Sequence, residues 1–456
     1  MKISQVFKKY WNIVISVGLV IPLIAIASEN FTKAIIILII IVIWNILGIL
    51  FRNFLKASFL CLLIFLPFNI TYQLQIGNLG PSLMDSFVNG ITVNYLIPTL
   101  SIVDLLVFLL LSSLIFTNSI NLKKRGFSFE NIFILFAVFL ILQNFFMGIS
   151  LTVFNSIRLL LYIFTFYSLK KNIKDILSNR ILSIILIISI LSVLFQGVIA
   201  LLQFSGGSSV GLSFLGESNV VNGMIGSSFL ELNNALYLRG YGTFPHPNVL
   251  GGWLIFNMLL GWYLFDSMKR KRDYSILLMV VSSLVLVLTF SRISWLVCGI
   301  IWLAFIIKTF ISKRGRIFTL IPLLSERVLN LFNGGDTSWS DRLNLMKSSF
   351  YIIKNNFLFG VGLGNFTNNM DDTVPITSNG ILLLQPVHNI FLLMFSELGL
   401  IGSGFFCTLL YFFLKNREWN LRFILSLVSI FIIGMFDHYM FSLPQGLGLF
   451  FLMITL

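Results

Sequence analysis

Long apolar runs recur along this chain, and their length constrains its fold more than any single residue does. The stretch AIIILIIIVIWNILGILF, Ala34 to Phe51, contains no charged residue. About 20 such residues in a helix cross the hydrocarbon of a bilayer, where the backbone must satisfy its own hydrogen bonds, so these runs read as transmembrane helices. Composition points the same way. Of 456 residues 57% are hydrophobic and 11% charged, with mean hydropathy +0.96, against about 45–50% apolar and about 25% charged in soluble domains. A soluble core cannot absorb that much apolar surface.

Spans are expected near 12–28, 34–51, 57–72, 99–117, 131–149, 151–169, 181–204, 249–266, 274–290, 293–312, 389–414, 423–437 and 440–456. The fold class is therefore all-α: a polytopic transmembrane helix bundle of about 12 to 14 helices. Its one long outer loop, 317–388, should contain short helices. No internal repeat, low-complexity tract or separate soluble domain interrupts the pattern. The first apolar run follows Lys8 and Lys9 and lacks a small-residue cleavage pattern, so a retained helix is expected there, not a removed signal peptide.

Charge sets the orientation, because Lys and Arg are retained in cytoplasmic loops during insertion. Clusters occur at Lys2, Lys8 and Lys9; Arg52 and Lys56; Lys123 to Arg125; Lys170, Lys171, Lys174 and Arg180; Lys269 to Arg272; Lys308, Lys313, Arg314 and Arg316; and Lys415, Arg417 and Arg422. They hold 23 of the 31 basic residues, and all fall on alternate loops if the N-terminus is cytoplasmic. Topology thus explains the net charge of +14. Nucleic acid is not an expected partner, since membrane spans divide the clusters and no basic stripe forms. For the alternation to continue, the short segment IFTLIPLLSERVLNLF after Arg316 must cross as a tilted, protein-buried helix; otherwise the topology fails there.

Cys61, Cys298 and Cys407 all fall in expected spans, too far apart in sequence for a zinc cluster, and read as small packing residues without a disulfide.

Residues able to carry chemistry gather in the outer loops. In LRGYGTFPHPNVLGGWL, Arg239 and His246 precede a helix starting near Asn248; the plain account is that Pro247 and Asn248 start and cap that helix. In LTFSRISWL, Arg292 falls at an outward turn between apolar helices, where a charge is costly unless it snorkels or binds an anion. Arg342 lies on an amphipathic stretch followed by Gly360, Gly362 and Gly364, whose spacing is no nucleotide fingerprint and suits a tight turn. In QPVHNIFLLMFSELGLIGSG, His388 and Asn389 open a helix that carries Glu397 about two turns further in. Intramembrane ionisable groups of this kind are functional by default. Asp371 and Asp372 are the paired outer carboxylates and read as a solvated turn, with metal binding the minority reading.

As an ordered set, HPN before a helix, SR at an outer turn, DR followed by FLFGVGLGN, and HN with an inward Glu resemble the O-antigen ligase and Wzy-type polymerase superfamily, over roughly Arg239 to Gly404. On that resemblance 1–204 is a set of N-terminal transmembrane helices and 205–456 the catalytic region. The short segment after Arg316 departs from the full-length helix of the family. The resemblance implies a GT-C-related fold, no cofactor and no metal, and glycosyl transfer at the outer face of the cytoplasmic membrane. The donor would be a polyprenyl (undecaprenyl) diphosphate-linked glycan, and the acceptor a glycan or lipid-linked chain among membrane lipids.

It further implies that Arg292 and Arg342 hold the donor diphosphate and that His388 orients or deprotonates the acceptor hydroxyl, with Arg239, His246, Asn248, Asn389 and Glu397 contacting substrate. The chemistry suits these residue types: guanidinium binds phosphate oxygens through paired hydrogen bonds, and imidazole accepts a proton near neutral pH. A polymerase is expected ahead of a ligase. A flippase or transporter is the non-enzymatic alternative, and would show related halves or interrupted helices meeting at the midplane.

Overall fold

The computed structural model describes residues 3–19, 30–73, 87–88, 91–93, 96–117, 128–147, 150–224, 226–232, 235–312, 337–370, 373–376 and 382–456. Among these the chain forms fifteen helices and three short antiparallel strand pairs. The helices are α1 (Ile3–Gly18), α2 (Phe31–Phe51), α3 (Phe54–Phe65), α4 (Ile102–Phe116), α5 (Phe129–Met147), α6 (Ser150–Ile176), α7 (Asn179–Gly206), α8 (Pro247–Ser267), α9 (Arg272–Leu288), α10 (Arg292–Ser312), α11 (Thr337–Asn355), α12 (Ile390–Leu414), α13 (Leu421–Phe436), α14 (Tyr439–Ser442) and α15 (Pro444–Thr455). The chain is an all-α polytopic bundle, with seven described helices long and apolar enough to cross a membrane.

Side-chain placement fits a lipid surround. On α2 one face, Ile40, Ile41 and Trp44, is buried, while Leu38, Val42, Ile46 and Ile49 point outward. Water would penalise that outward face, whereas lipid tails do not. Polar residues mark the helix starts: Asn30, Asn53, Ser101, Asn389 and Asn420 accept main-chain N–H groups in the first turns of α2, α3, α4, α12 and α13.

Three expected spans differ from the structure. The helix near 12–28 is α1, which starts at Ile3 and ends at Gly18, and residues 20–29 lie outside the described residues. The span near 57–72 is the twelve-residue α3, which ends at Phe65 just before Pro67; the chain then enters strand β1 (Thr71–Gln73), paired with β4 (Thr99–Ser101). Similarly, the span near 440–456 is split into α14 and α15 at Leu443, because Pro444 can start a helix but not continue one. The segment after Arg316, with Ser325, Glu326 and Arg327, lies outside the described residues, as do Asp371 and Asp372. All three cysteines are free, with Cys61 and Cys298 buried and Cys407 on the exposed surface.

At the centre stands α8, buried along nearly its whole length and packed against α7, α9, α10, α13 and α15. Small residues permit that approach. A Cβ on Gly251 would lie 2.6 Å from Ser294 Oγ, so glycine lets the first turn of α10 close onto the first turn of α8.

Helix α12 is interrupted at Gly399, whose φ of 63° breaks the ladder. The groups freed there are met by the loop after α11. Val361 and Gly362 donate to the carbonyls of Ser396 and Glu397 at 3.0 and 2.9 Å, and Leu400 and Ile401 donate to the carbonyls of Phe357 and Leu358 at 2.9 and 3.1 Å. Gly360, Gly362 and Gly364, at φ of 67°, 92° and 79°, form the tight turn that docks there. Non-helical backbone is tolerated at membrane depth when protein satisfies it in this way.

Candidate functional site

The hairpin of β5 (Phe229–Leu232) and β6 (Ala235–Leu238) delivers Arg239 to the start of α8. There Nε donates to the Thr289 carbonyl at 2.7 Å, and one terminal nitrogen donates to Asn248 Oδ1 at 2.8 Å. Both partners are neutral. Thr289 belongs to the α9–α10 turn, where Phe290 takes a φ of 47° that bulky residues seldom adopt. That sharp turn sets Arg292 at the head of α10. Burial pushes the Arg239 guanidinium down to about 10 against the pull of Tyr241 and Asp437, and the positive charges of Arg342 and Arg292 push it the same way. Three arginines from three separate segments therefore share one electropositive region.

Asn248 is the hinge of the next contact. It accepts from Arg239 and donates Nδ2 to Asp437 Oδ2 at 2.7 Å, tying the start of α8 to the end of α13. Asp437 Oδ1 in turn accepts the main-chain N–H of His438 at 2.8 Å and stands 3.8 Å from His388 Nδ1. That last distance is ion-pair range, too long for a hydrogen bond. His388 Nδ1 has no hydrogen-bond partner. Burial alone would raise the Asp437 carboxyl, but the adjoining His388 and the charges of His438 and His246 outweigh it and hold it below the usual carboxylate range.

The chain has three histidines, and all three meet here. His388 and His438 have ring centroids 5.2 Å apart, and the charges of both bear on His246. Their roles divide by hydrogen bonding. His246 caps α8: Nδ1 accepts the Asn248 N–H at 3.2 Å, and Nε2 is 2.8 Å from Ser228 Oγ. Burial, then the Arg239 charge, pushes it down to about 3, so it stays neutral and fully engaged. His438 Nδ1 is 2.7 Å from Ser442 Oγ, and burial followed by the His388 charge takes this ring down to about 4. His388, one-fifth exposed, is the ring with an unpartnered nitrogen facing a carboxylate.

The structure thus joins Arg239, Asn248 and His388 through Asp437, sets His246 among their charges, and lets the charges of Arg292 and Arg342 act on Arg239. Asn389 serves them from behind: its Oδ1 accepts from Phe391 and Leu392 at 3.0 Å each while Nδ2 donates to the Met435 carbonyl at 3.1 Å, which clamps the start of α12 to the end of α13. Glu397 stands apart. Its carboxyl accepts main-chain N–H groups of Gly364 and Phe366 in the glycine turn, and it faces a separate cavity.

Sequence reading missed Asp437 and His438. The signal was present, because an Asp-His pair separates two apolar runs in GMFDHYMF on the side where basic residues are absent.

His388, Asp437 and His438 offer ligand atoms within 4.8 Å of one another, a spacing that could hold a metal ion. Three guanidinium charges bearing on the same region oppose a dication and favour an anion. Chemically, the cluster can bind an oxyanion and take up a proton beside it.

Residues 277–407 match a family model described as O-antigen ligase. The match takes in Arg292, Arg342, His388, Asn389 and Glu397, and leaves Arg239, His246, Asn248, Asp437 and His438 outside it. No curated protein and no solved structure matches the chain.

Proposed function

Because the chain belongs, through residues 277–407, to the O-antigen ligase and Wzy-type polymerase superfamily, we propose that it polymerises lipid-linked oligosaccharide repeat units from a polyprenyl diphosphate donor. The observation that carries this reading is that Arg239 reaches Asp437 through Asn248 and Asp437 faces His388, while the charges of Arg292 and Arg342 bear on Arg239. Diphosphate carries at least two negative charges, and guanidinium forks bind its oxygens through charge-assisted hydrogen bonds that strengthen where water is scarce.

In the proposed step the acceptor hydroxyl oxygen attacks the anomeric carbon of the donor sugar. The bond from that carbon to the phosphate oxygen breaks, and the electron pair leaves on the diphosphate. Arg292 and Arg342, with Arg239 behind them, stabilise the departing charge. The hydroxyl proton passes to His388. Asp437, oriented by Asn248, positions that ring and stabilises its charged form, and substrate binding would shorten their present 3.8 Å separation. No metal is needed, since the leaving group is already good and the arginines supply the positive charge. The basic clusters on the opposite loops support an outer-face site in the cytoplasmic membrane.

Transfer of a finished glycan to lipid A core or protein is the second reading, favoured by the ligase description of the matching family model. A transporter would use an interrupted helix, as α12 is, but here the carbonyls of Ser396 and Glu397 and the N–H groups of Leu400 and Ile401 bond to the segment 357–362. The test is to incubate purified protein with a lipid-linked repeat unit. Polymerisation predicts longer lipid-linked glycans with release of polyprenyl diphosphate; glycan transfer only to lipid A core would select the ligase, and movement of intact donor across vesicles without bond cleavage would refute both.

A further inference from the structure

Beside the histidines lies a cavity of about 120 Å³ that the proposed reaction does not use. Ser442, whose Oγ meets His438, is in its wall, and so is Pro386, two residues before His388. The cavity is therefore a neighbour of the cluster.

Its chemistry is different. Arg158 lines it, but that guanidinium is already spent on Asp104, with Nε to Oδ1 at 2.9 Å and a terminal nitrogen to Oδ2 at 2.8 Å, and it also donates to Asn155 Oδ1 and the Thr99 carbonyl. Glu397 is also in the wall, its carboxyl bonded to the main-chain N–H groups of Gly364 and Phe366. No surplus positive charge remains for a phosphate. An unused group does remain: Thr367, 1% exposed, lines the cavity, and its buried hydroxyl has no hydrogen-bond partner. A hydroxyl left so is costly until something bonds to it. Phe366 and Phe441 give the cavity apolar surface against which the C–H face of a ring can lie. At about 120 Å³ it is smaller than the buried cavity of about 150 Å³ that holds benzene, so it has room for the edge of one ring and no more.

We infer that this cavity is the acceptor subsite, and that it receives the edge of one uncharged, hydroxyl-rich sugar ring of the acceptor glycan while the next hydroxyl is presented to His388. The inference rests on the glycosyl-transfer reading above and gives it a division of labour. Diphosphate goes to the arginines, and the neutral sugar goes to the cavity walled by Thr367 and Glu397.

The test uses the full chain in detergent and two probes: repeat-unit oligosaccharides released from the host cell's own surface polysaccharide, and undecaprenyl diphosphate. Thr367→Leu removes the hydroxyl and fills part of the cavity. Oligosaccharide binding, read by saturation-transfer NMR, should weaken about tenfold or more, with undecaprenyl diphosphate affinity unchanged. Thr367→Ser keeps the hydroxyl and should bind near normally. Unchanged oligosaccharide binding in Thr367→Leu would overturn the inference and leave a water-filled pocket, and an equal loss in Thr367→Ser would overturn it by tracing the effect to packing. If the oligosaccharide binds in this Thr367-dependent way but undecaprenyl diphosphate does not bind and no glycan is transferred, the sugar site stands and the glycosyl-transfer reading fails.

Discussion

Two regions of this bundle place arginine where water is scarce, and they resolve the cost in opposite ways. Arg158, on α6, meets Asp104 of α4 through two hydrogen bonds, and Asp104 also accepts from Tyr162 and from the Ser101 N–H. That charge is neutralised within the fold. Arg239 bonds to two neutral oxygens and feels two further arginines. Its charge is answered at one remove, by Asp437 through Asn248. The difference separates an arginine neutralised within the scaffold from one held by neutral oxygens beside two like charges, and it does so without reference to their positions in the sequence.

That contrast can be broken most severely at the scaffold. Asp104→Asn leaves Arg158 charged and unpaired at a largely buried position, with side-chain exposures of 10% and 8% for the pair, and should cost about 3–5 kcal/mol of stability. Thermal unfolding in detergent reads this directly. Adding Arg158→Met to the same chain should restore much of the loss, because no buried charge then lacks a partner. Wild-type stability in Asp104→Asn alone would mean that the pair is not a structural unit.

Next in size is the proposed base. His388→Ala should cut turnover by about 10²- to 10⁴-fold, the usual contribution of a positioned acid or base, while donor affinity and unfolding temperature stay near wild type. Near-normal turnover would remove His388 as the base.

The smallest expected effect is that of a chelator. If the arginines supply the positive charge, turnover in EDTA should match turnover without it. Loss in EDTA with recovery on adding magnesium or manganese would instead assign His388, Asp437 and His438 to a metal.

Much of this fold was legible because bilayer thickness and backbone satisfaction leave few alternatives for apolar runs of this length. The runs that became α2, α7 and α10 needed little else. What the runs concealed was local: Pro67 ends α3 early, Pro444 divides the last span, and Gly399 interrupts α12 within one long, mostly apolar run. The arginines and His388 stood out as charges at outward turns. Asp437 and His438 did not, because they sit at the seam of two apolar runs and were absorbed into the boundary. Asp104 and Arg158 are 54 residues apart, on different helices, and no local pattern joins such a pair. Glu397 shows the converse, a conspicuous inward carboxyl whose partners are main-chain N–H groups that no sequence pattern announces.

The claim that these arginines hold diphosphate is tested most directly by donor affinity measured beside turnover in Arg292→Lys and Arg342→Lys, with protein of wild-type unfolding temperature. Lysine keeps the charge and loses the fork, so both variants should bind undecaprenyl diphosphate about tenfold or more weakly and turn over correspondingly slowly. Unchanged affinity and turnover in both would contradict the account, and would leave the three arginines as helix-end anchors.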